Sequence, residues 1–425
     1  TRSRKSFSTR TQTLCPVCAR KVEDRIHLVM FLMAIGILAL YLLPPTAKAP
    51  PRDHAAPWSS LGLPLFLIVQ YVSVIPHELS HALAGKLMGI ELFRISFGRG
   101  RLLVSRAFRG VLIEIRAIPG SGGVNGGTLR MAGWRWRMFV YVAAGPLIHV
   151  LICGASVRAA GGWPHIFDTS RWSGLAPFWL SLAAANAAIL VASLIPRTVK
   201  TQEGLQPTDG RLLLNLLFKP IDSVIVRRMR YFLSRGAFLC IARDGHAAKE
   251  MLRQALDEFP GNLTLRLLLI IAHLEAGEYA TGRELTLRLL EERPAADAVR
   301  ASLLNALAWA DLMIATPERM EEADRASAES YALTPWDFAV QSTRGLAMVE
   351  LGDLAGGEEL LRQSFRGAER RESRAAVACS LAIAESRMGR GIIARRMLRK
   401  ARRLDRKCEL LPRVEREVLA VGAPA

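Results

Sequence analysis

Two histidines and a glutamate stand at a spacing that suits metal chemistry, in the segment PHELSH at residues 76–81. His77 and His81 are four residues apart, so on a helix both imidazoles project from nearly the same face and can reach one tetrahedral ion. Glu78 is then placed to take a proton from a water on that ion. The pattern predicts one zinc ion per chain, bound by His77 and His81, with Glu78 as the general base.

These three residues lie inside an apolar stretch, which gives their spacing added weight. The stretch includes Val72, Val74, Ile75, Leu79 and Leu83. An ionised carboxylate near a bilayer centre costs on the order of 3 kcal/mol or more, so such groups usually mark function. The alternative is a polar cluster that holds membrane helices together. Two histidines and a glutamate at the metal spacing favour the functional interpretation.

A third protein ligand is needed if a water molecule is to keep the fourth zinc position. Asp209, in the segment QPTDGR at residues 206–211, is the candidate, because it follows the last long apolar run and can fold back toward His81. On spacing alone, a solvated turn aspartate explains it equally well, since Pro-Thr-Asp-Gly is ordinary turn chemistry. A membrane metalloprotease of the other HExxH type would use a glutamate such as Glu203 instead.

Over roughly residues 61–218 the chain resembles the site-2 protease family of intramembrane zinc metalloproteases. HELSH at residues 77–81 matches the family's HExxH helix, Gly145-Pro146 matches its Gly-Pro helix, and Leu-Ile-Pro at 194–196 followed by Pro-Thr-Asp-Gly at 207–210 matches its Asp-Gly segment. The resemblance implies that Asp209 is the third ligand. It also implies cleavage of a peptide bond within or beside a membrane span of a protein substrate.

The chain departs from the family pattern at three places. His149 stands where Asn is often found after Gly-Pro, and Ser193 stands where Asn commonly precedes Leu-Ile-Pro, although Asn186 lies two turns earlier. Residues 197–206 also separate the proline from the Asp-Gly turn. We interpret His149 as a polar contact between helices rather than a fourth ligand. The predicted supporting residues are Asn186, His149, Gly145 and Pro146.

Four stretches are long enough to cross a bilayer core, which needs about 20 apolar residues. They are residues 26–43, 61–87, 136–157 and 175–195. The loop between the second and third, together with the first residues of the third, carries nine arginines, whereas the other two loops carry few basic residues. By the positive-inside rule, the N-terminus, the arginine-rich loop and the C-terminus are cytoplasmic. The resemblance implies a bacterial cytoplasmic membrane.

The arginine-rich loop contains strand-like alternation at residues 93–97 and 111–118, punctuated by glycines. This predicts a small membrane-associated β-hairpin. The following stretch GSGGVNGG at 120–127 is interpreted as a flexible turn that leads back to the bilayer. The strands are either a scaffold or an edge to which an unwound substrate adds as a further strand.

From about residue 222 the sequence becomes charged, amphipathic and helical. Pro260 and Pro294 are 34 residues apart, and Pro335 follows 41 later. Glycine turns occur at Gly277, Gly352 and Gly389. This resembles tetratricopeptide repeats, whose period is 34, with three or four degenerate copies over residues 244–405. Stacked repeats form a concave surface that can hold a protein partner. A merely structural helical bundle is the alternative.

The predicted fold is therefore mainly α: a polytopic membrane helix bundle of about four spans with a small β-hairpin, then a cytoplasmic α-solenoid. Expected domains are a basic tail at 1–25, a metalloprotease domain at 26–220 and a repeat domain at 221–425. The net charge of +19 accompanies 51% hydrophobic residues. Basic residues beside apolar runs suit a lipid bilayer, and no nucleic-acid partner is expected. A non-enzymatic membrane scaffold with a degenerate metal site is the competing hypothesis.

Overall fold

A computed structural model describes residues 29, 32–33, 65–163, 176–201, 204–220, 222–294 and 296–420. The predicted basic tail, most of the apolar run 26–43 and Glu203 lie outside these residues. The chain divides into two compact units, Thr1–Asp222 and Ser223–Ala425. Each unit is mainly helical and is described by itself.

The first unit combines four helices with two β-hairpins. Its elements are α1 (Val74–Leu87), β1 (Glu91–Phe108), β2 (Val111–Gly127), α2 (Trp134–Ala159), α3 (Ala176–Leu194), β3 (Thr198–Thr201), β4 (Gly204–Pro207) and α4 (Asp209–Phe218). Residues 65–72 are also helical and lead into α1 through a turn at Ser73. Pro76 explains this interruption, because it has no N–H to donate to the carbonyl of Val72 four residues earlier.

The two long strands form more than a simple hairpin. Residues 102–108 pair with 111–116 across the turn at Arg109-Gly110, while residues 91–97 pair with 122–127 and residues 94–97 also with 112–115. The prediction of a flexible glycine turn at 120–127 was therefore wrong, because these residues belong to β2. Glycine is used here for close approach: a Cβ on Gly120 would lie 2.4 Å from Cδ1 of Tyr71.

In the stretch that separates the proline from the Asp-Gly turn, strands β3 and β4 pair in antiparallel fashion. Thr198 pairs with Pro207, and the N–H of Thr208 donates to the carbonyl of Arg197 at 3.0 Å. The hydroxyl of Thr208 also donates to the carbonyl of Ile195 at 2.7 Å. The hairpin therefore brings Thr208 back beside Ile195 and Arg197, where the hairpin begins, so the extra residues do not displace Asp209.

Among the described residues, Trp134–Ala159 is the one helix long and apolar enough to cross a membrane by length and composition. Phe178–Leu194 is a shorter apolar helix. The prediction of four spans is thus not confirmed.

The second unit consists of eleven described helices in series. They are α5 (Val224–Ile241), α6 (Gly245–Glu258), α7 (Leu263–Glu275), α8 (Tyr279–Glu291), α9 (Asp297–Ile314), α10 (Pro317–Leu333), α11 (Phe338–Glu350), α12 (Leu354–Gly367), α13 (Arg371–Arg387), α14 (Gly391–Leu404) and α15 (Leu411–Ala420). The largest buried cluster, which includes Leu312, Leu346, Leu361 and Ile383, lies between α9 and α15. Its position between successive helices is typical of a solenoid, whose core is continuous.

A left-handed residue marks the turn within each of five successive helix pairs. These residues are Arg243, Gly277, Ala315, Gly352 and Gly389, with φ of 58°, 78°, 62°, 97° and 76°. The described helix pairs begin at Val224, earlier than the predicted start at 244, and they number five rather than three or four. The 41-residue step arises because α9 and α10 are 18 and 17 residues long, whereas α7 and α8 have 13 each.

Candidate metal centre

Helix α1 has its polar and apolar faces reversed relative to a helix of a water-soluble protein. His77, Glu78 and His81 are buried at 6–8% exposure. The opposite side exposes Ile75, Leu79, Leu83 and Leu87, and exposure reaches 72% at Leu87. This arrangement is the one expected of a helix whose apolar side faces lipid and whose polar side faces the protein interior.

Three side chains converge at the polar side of α1. Nε2 of His77 lies 3.1 Å from Nε2 of His81 and 3.0 Å from Oδ2 of Asp209, and Nε2 of His81 lies 3.6 Å from Oδ1 of Asp209. Ligand atoms about 2.0–2.1 Å from a tetrahedral zinc ion stand ~3.3 Å apart. The three donor groups therefore fit zinc in both spacing and chemistry, and together they form a group able to hold a metal ion.

Asp209 reaches the histidines because it is the first residue of α4. Leu212, Leu213 and Leu216 on this helix pack against Tyr141 and Val142 of α2. Gly210 is required for the approach, since a Cβ there would lie 1.8 Å from the carbonyl oxygen of Leu194.

The Asp209 carboxylate is also electrostatically suited to bind a cation. Burial raises its pKa, but contact with His77 and His81, when these carry a proton on Nε2 in place of a metal, outweighs burial and lowers the pKa to about 2. The helix N-terminus adds a favourable dipole for a negative charge. The carboxylate is thus ionised at neutral pH.

A chain of hydrogen bonds orients His77 from behind. The amide nitrogen of Asn186 donates to the carbonyl of Leu182 at 2.8 Å, which directs Oδ1 of Asn186 to Nδ1 of His149 at 2.7 Å. His149 must therefore carry its proton on Nδ1, and its Nε2 accepts from Nδ1 of His77 at 3.0 Å. This fixes the tautomer of His77 whose Nε2 lone pair points at the metal position. His149 and Asn186 are both fully buried.

His81 is oriented in the same way by a backbone group. Its Nδ1 donates to the carbonyl of Tyr141 at 2.8 Å, so Nε2 is left with the lone pair that a metal needs. The hydroxyl of Tyr141 donates to the carbonyl of Val124 at 2.6 Å and joins α2 to β2. Sequence reasoning did not identify Tyr141, because every residue has a carbonyl and the motif gives no signal for this one.

Loss of the His149 contact should weaken zinc binding while leaving all three ligands in place. We expect His149→Phe to lower zinc affinity about 10- to 100-fold, the usual effect of removing a group that orients a histidine ligand. Competition with a zinc chelator measures this. Ser193→Ala is the matched control on α3, because Oγ of Ser193 donates to the carbonyl of Leu190 in its own helix. Unchanged affinity in His149→Phe would contradict the orienting role.

Glu78 lies against the backbone of the glycine-rich strand. A Cβ on Gly122 would stand 2.5 Å from Cγ and 2.8 Å from Oε1 of Glu78. The strand segment 122–127 pairs with residues 91–97 through one edge. Its other edge has no strand partner among the described residues. The structure thus places a strand edge to which no further described strand pairs next to the predicted general base.

Gly145 leaves the space that the two histidines occupy. A Cβ at this position would lie 2.3 Å from Nε2 of His81 and 2.7 Å from Cε1 of His77. We therefore expect Gly145→Ala to displace the imidazoles and to abolish stoichiometric zinc binding, measured by elemental analysis. Gly154→Ala on the same helix is the control, since a Cβ there meets nothing within 4 Å. Equal zinc content in the two variants would refute this role of Gly145.

The other predicted supporting residues are placed as follows. Pro146 is buried within α2, next to Gly145, and removes one helical hydrogen bond from that helix. His149 is not among the residues grouped around the candidate metal position, and its contacts are to His77 and Asn186. Ser193 makes its hydrogen bond within α3.

Comparison with protein families finds two matches. Residues 65–161 match the model of peptidase family M50, the site-2 protease family, and residues 241–307 match a tetratricopeptide-repeat model. Both resemblances inferred from sequence are thereby confirmed. The first match indicates a metallopeptidase of a zinc-dependent family, and it ends before Asn186 and Asp209. No curated protein was found to match the chain.

Several solved structures are similar to part of the chain, all with low TM-scores. A thermophilic tetratricopeptide-repeat protein of Thermus thermophilus has 21% identity and a TM-score of 0.36, and the match covers 45% of this chain and 99% of that one. YrrB, described as a tetratricopeptide-repeat protein with an unusual peptide-binding site, has 11% identity and a TM-score of 0.30, and the match covers 46% of this chain and 98% of that one. MamA from MSR-1 has 22% identity and a TM-score of 0.29, and the match covers 42% of this chain and 98% of that one.

Proposed function

We propose that this chain is an intramembrane zinc metalloprotease that hydrolyses a peptide bond within or next to a membrane span of a protein substrate. The observation that carries the proposal is the convergence of His77, His81 and Asp209, with Glu78 on the same helix as the two histidines. The match of residues 65–161 to peptidase family M50 supports the reaction class.

The three converging residues would hold the zinc ion, and His149 and the Tyr141 carbonyl would keep the imidazoles in the binding tautomer. When bound, zinc supplies Lewis-acid polarisation of a peptide carbonyl and lowers the pKa of water. Glu78 takes the proton from the attacking water and then passes it to the amine that leaves.

A membrane helix must unwind before hydrolysis, because its carbonyls are already hydrogen-bonded within the helix. An unwound segment needs new partners for its backbone groups. Residues 122–127 lie beside Glu78 and have an edge to which no other described strand pairs. We infer that the substrate adds to this edge as a further strand, so that backbone pairing holds the scissile bond near the general base.

Embedding in the bilayer is supported by the apolar surfaces of the helices that carry the site. Besides the exposed leucines of α1, helix α2 exposes Leu147, Val150 and Leu151 at 48–59%. Large contiguous apolar surfaces of this kind are uncommon on water-soluble monomers. The proposed setting is an integral membrane protein of a bacterial cytoplasmic membrane with cytoplasmic termini.

The repeat unit would recruit a protein partner, either the substrate or a regulator. Tetratricopeptide repeats are generally used for protein–protein contacts, and residues 241–307 match such a repeat.

The experiment that tests the proposed function is reconstitution of the full chain in lipid with membrane-span substrates. Cleavage that requires zinc and Glu78 is the expected result. A purified chain without near-stoichiometric zinc and without turnover would instead favour the non-enzymatic scaffold.

A further inference from the structure

Helix α14 (Gly391–Leu404) differs in charge from the other helices that close a helix pair. It contains six arginines and lysines and no acidic residue. By contrast, α6, α8, α10 and α12 each carry both signs, and α10 is net acidic. Because these helices occupy equivalent positions in successive repeats, the charge of α14 is a local property rather than one of the whole unit.

The two sides of α14 differ in burial and in charge. Ala394, Leu398 and Ala401 form the buried stripe that packs the helix into the repeat unit. The opposite side exposes Arg395, Arg396, Arg399 and Arg403, and at its N-terminal end Ile392, which is 72% exposed. At 100° per residue, Ile392, Arg395, Arg396, Arg399 and Arg403 share one face, with the isoleucine at its N-terminal end and four guanidinium groups beyond it.

These guanidinium groups lack the carboxylate partners that several exposed arginines have elsewhere in the unit. Arg228 bonds to Glu258 at 2.8 Å, Arg266 to Glu292 at 2.8 Å and Arg300 to Glu329 at 2.7 Å. Within the part of the chain that the structure describes, Arg395, Arg396, Arg399 and Arg403 form no ion pair. Their charge is therefore available to a partner outside the unit.

We propose that this face of α14 binds the anionic lipid headgroups of the membrane in which the first unit is embedded. Guanidinium groups bind phosphate oxygens in a bidentate manner, and an exposed isoleucine can enter the boundary between headgroups and acyl chains. Each arginine near an anionic leaflet strengthens association about fivefold. This inference rests on the membrane setting of the proposed function and does not involve hydrolysis.

The chain itself favours a bilayer over other anionic partners. Residues 219–223 alone separate α4 from α5, so the repeat unit is tethered to whichever membrane holds the first unit. Tethering makes even a weak electrostatic contact effective. The face of α14 also has no aromatic residue on which nucleic-acid bases could stack.

The test uses the full chain, carrying Glu78→Gln to exclude turnover, in nanodiscs of phosphatidylcholine with or without phosphatidylglycerol. A nitroxide at Ile392→Cys reports accessibility to a water-soluble nickel relaxant. The cysteines other than the buried Cys240, Cys379 and Cys408 are replaced by serine. We expect severalfold lower accessibility in the anionic discs, and recovery of accessibility in high salt because surface charges are then screened.

Two triple variants distinguish an effect of the α14 arginines on lipid binding from an effect of the net charge of the repeat unit. Replacing Arg395, Arg399 and Arg403 by Gln should weaken association on the order of a hundredfold, so the lipid-dependent protection disappears. Replacing Arg253, Arg288 and Arg325, which are exposed on α6, α8 and α10, makes the same change in net charge and should preserve protection. Equal accessibility in neutral and anionic discs, or equal loss in both variants, would overturn the proposal. The proposal would also be overturned if added polyglutamate or duplex DNA lowered the accessibility of the nitroxide in neutral discs while anionic lipid did not.

Discussion

Glu78→Gln should lose peptide hydrolysis and keep its zinc. Glutamine has nearly the shape of glutamate but cannot take a proton from water, and general-base catalysis typically contributes about 10²- to 10⁴-fold. Glu78 lies on the helix that supplies two ligands but is not itself among the three converging groups. The expected result is a fall in turnover of at least this size at unchanged zinc stoichiometry.

Turnover would be measured with a membrane-span peptide in reconstituted lipid, and zinc by elemental analysis of the same sample. Glu91→Gln provides the matched control, since Glu91 is an exposed glutamate at the start of β1 and should turn over at the wild-type rate. Undiminished hydrolysis in Glu78→Gln would show that another group is the base. Joint loss of zinc and hydrolysis would show that Glu78 acts in metal binding.

The same variant should retain the natural substrate. If the substrate adds as a strand to residues 122–127, its backbone contacts do not depend on the charge of Glu78. Binding then persists while the chemical step is blocked, so crosslinking in membranes should enrich the substrate in Glu78→Gln over wild type. Failure to enrich a membrane protein would count against strand addition and leave the hydrolytic test intact.

The candidate metal site shows how much of its arrangement local sequence rules can predict. The spacing of His77 and His81 is a property of one helix turn, so their common face could be predicted from residues alone. Bringing Asp209 alongside depends on the β3–β4 hairpin, which returns the chain to Ile195 before α4 begins. The contact between His149 and Asn186 depends on how α2 packs on α3, and no periodicity specifies such packing.

Glycine led to the main error in the first unit. A run such as GSGGVNGG resembles a flexible linker because glycine permits many backbone conformations. In the structure the absence of side chains serves packing instead, since Gly120 and Gly122 lie against Tyr71 and Glu78. A strand packed too closely to hold a Cβ and a flexible loop are both rich in glycine, so composition alone does not distinguish them.

The repeats show the converse problem. Gly277, Gly352 and Gly389 marked three turns correctly, since a left-handed residue is usually glycine. The turns at Arg243 and Ala315 are also left-handed but carry side chains, so they were not recognisable as equivalent. Arg243 is held by contacts distant in sequence: Nε bonds to Glu275 and Nη1 to Asp405, each at 2.8 Å. Such contacts can offset a strained backbone without leaving a local pattern.

Asp209→Ala should lose zinc, and Glu203→Ala should retain it. Removing the carboxylate leaves two imidazoles, which is one ligand fewer than a catalytic zinc site uses. Asp209 also supplies a negative charge close to the histidine nitrogens, at 3.0 Å from Nε2 of His77. Glu203 tests the competing hypothesis, in which a glutamate completes an HExxH site of the other type.

The melting temperature provides a second measurement of zinc binding, and it does not depend on activity. A ligand at a hundredfold excess over its Kd stabilises the folded state by about 2.7 kcal/mol. Added zinc should therefore raise the melting temperature of chelator-treated wild type and Glu203→Ala, and should leave that of Asp209→Ala nearly unchanged. Because the imidazoles stay oriented by His149 and the Tyr141 carbonyl in all three proteins, the difference isolates the carboxylate. Zinc loss in Glu203→Ala alone would reject Asp209 as the third ligand and with it the site-2 protease arrangement of this centre.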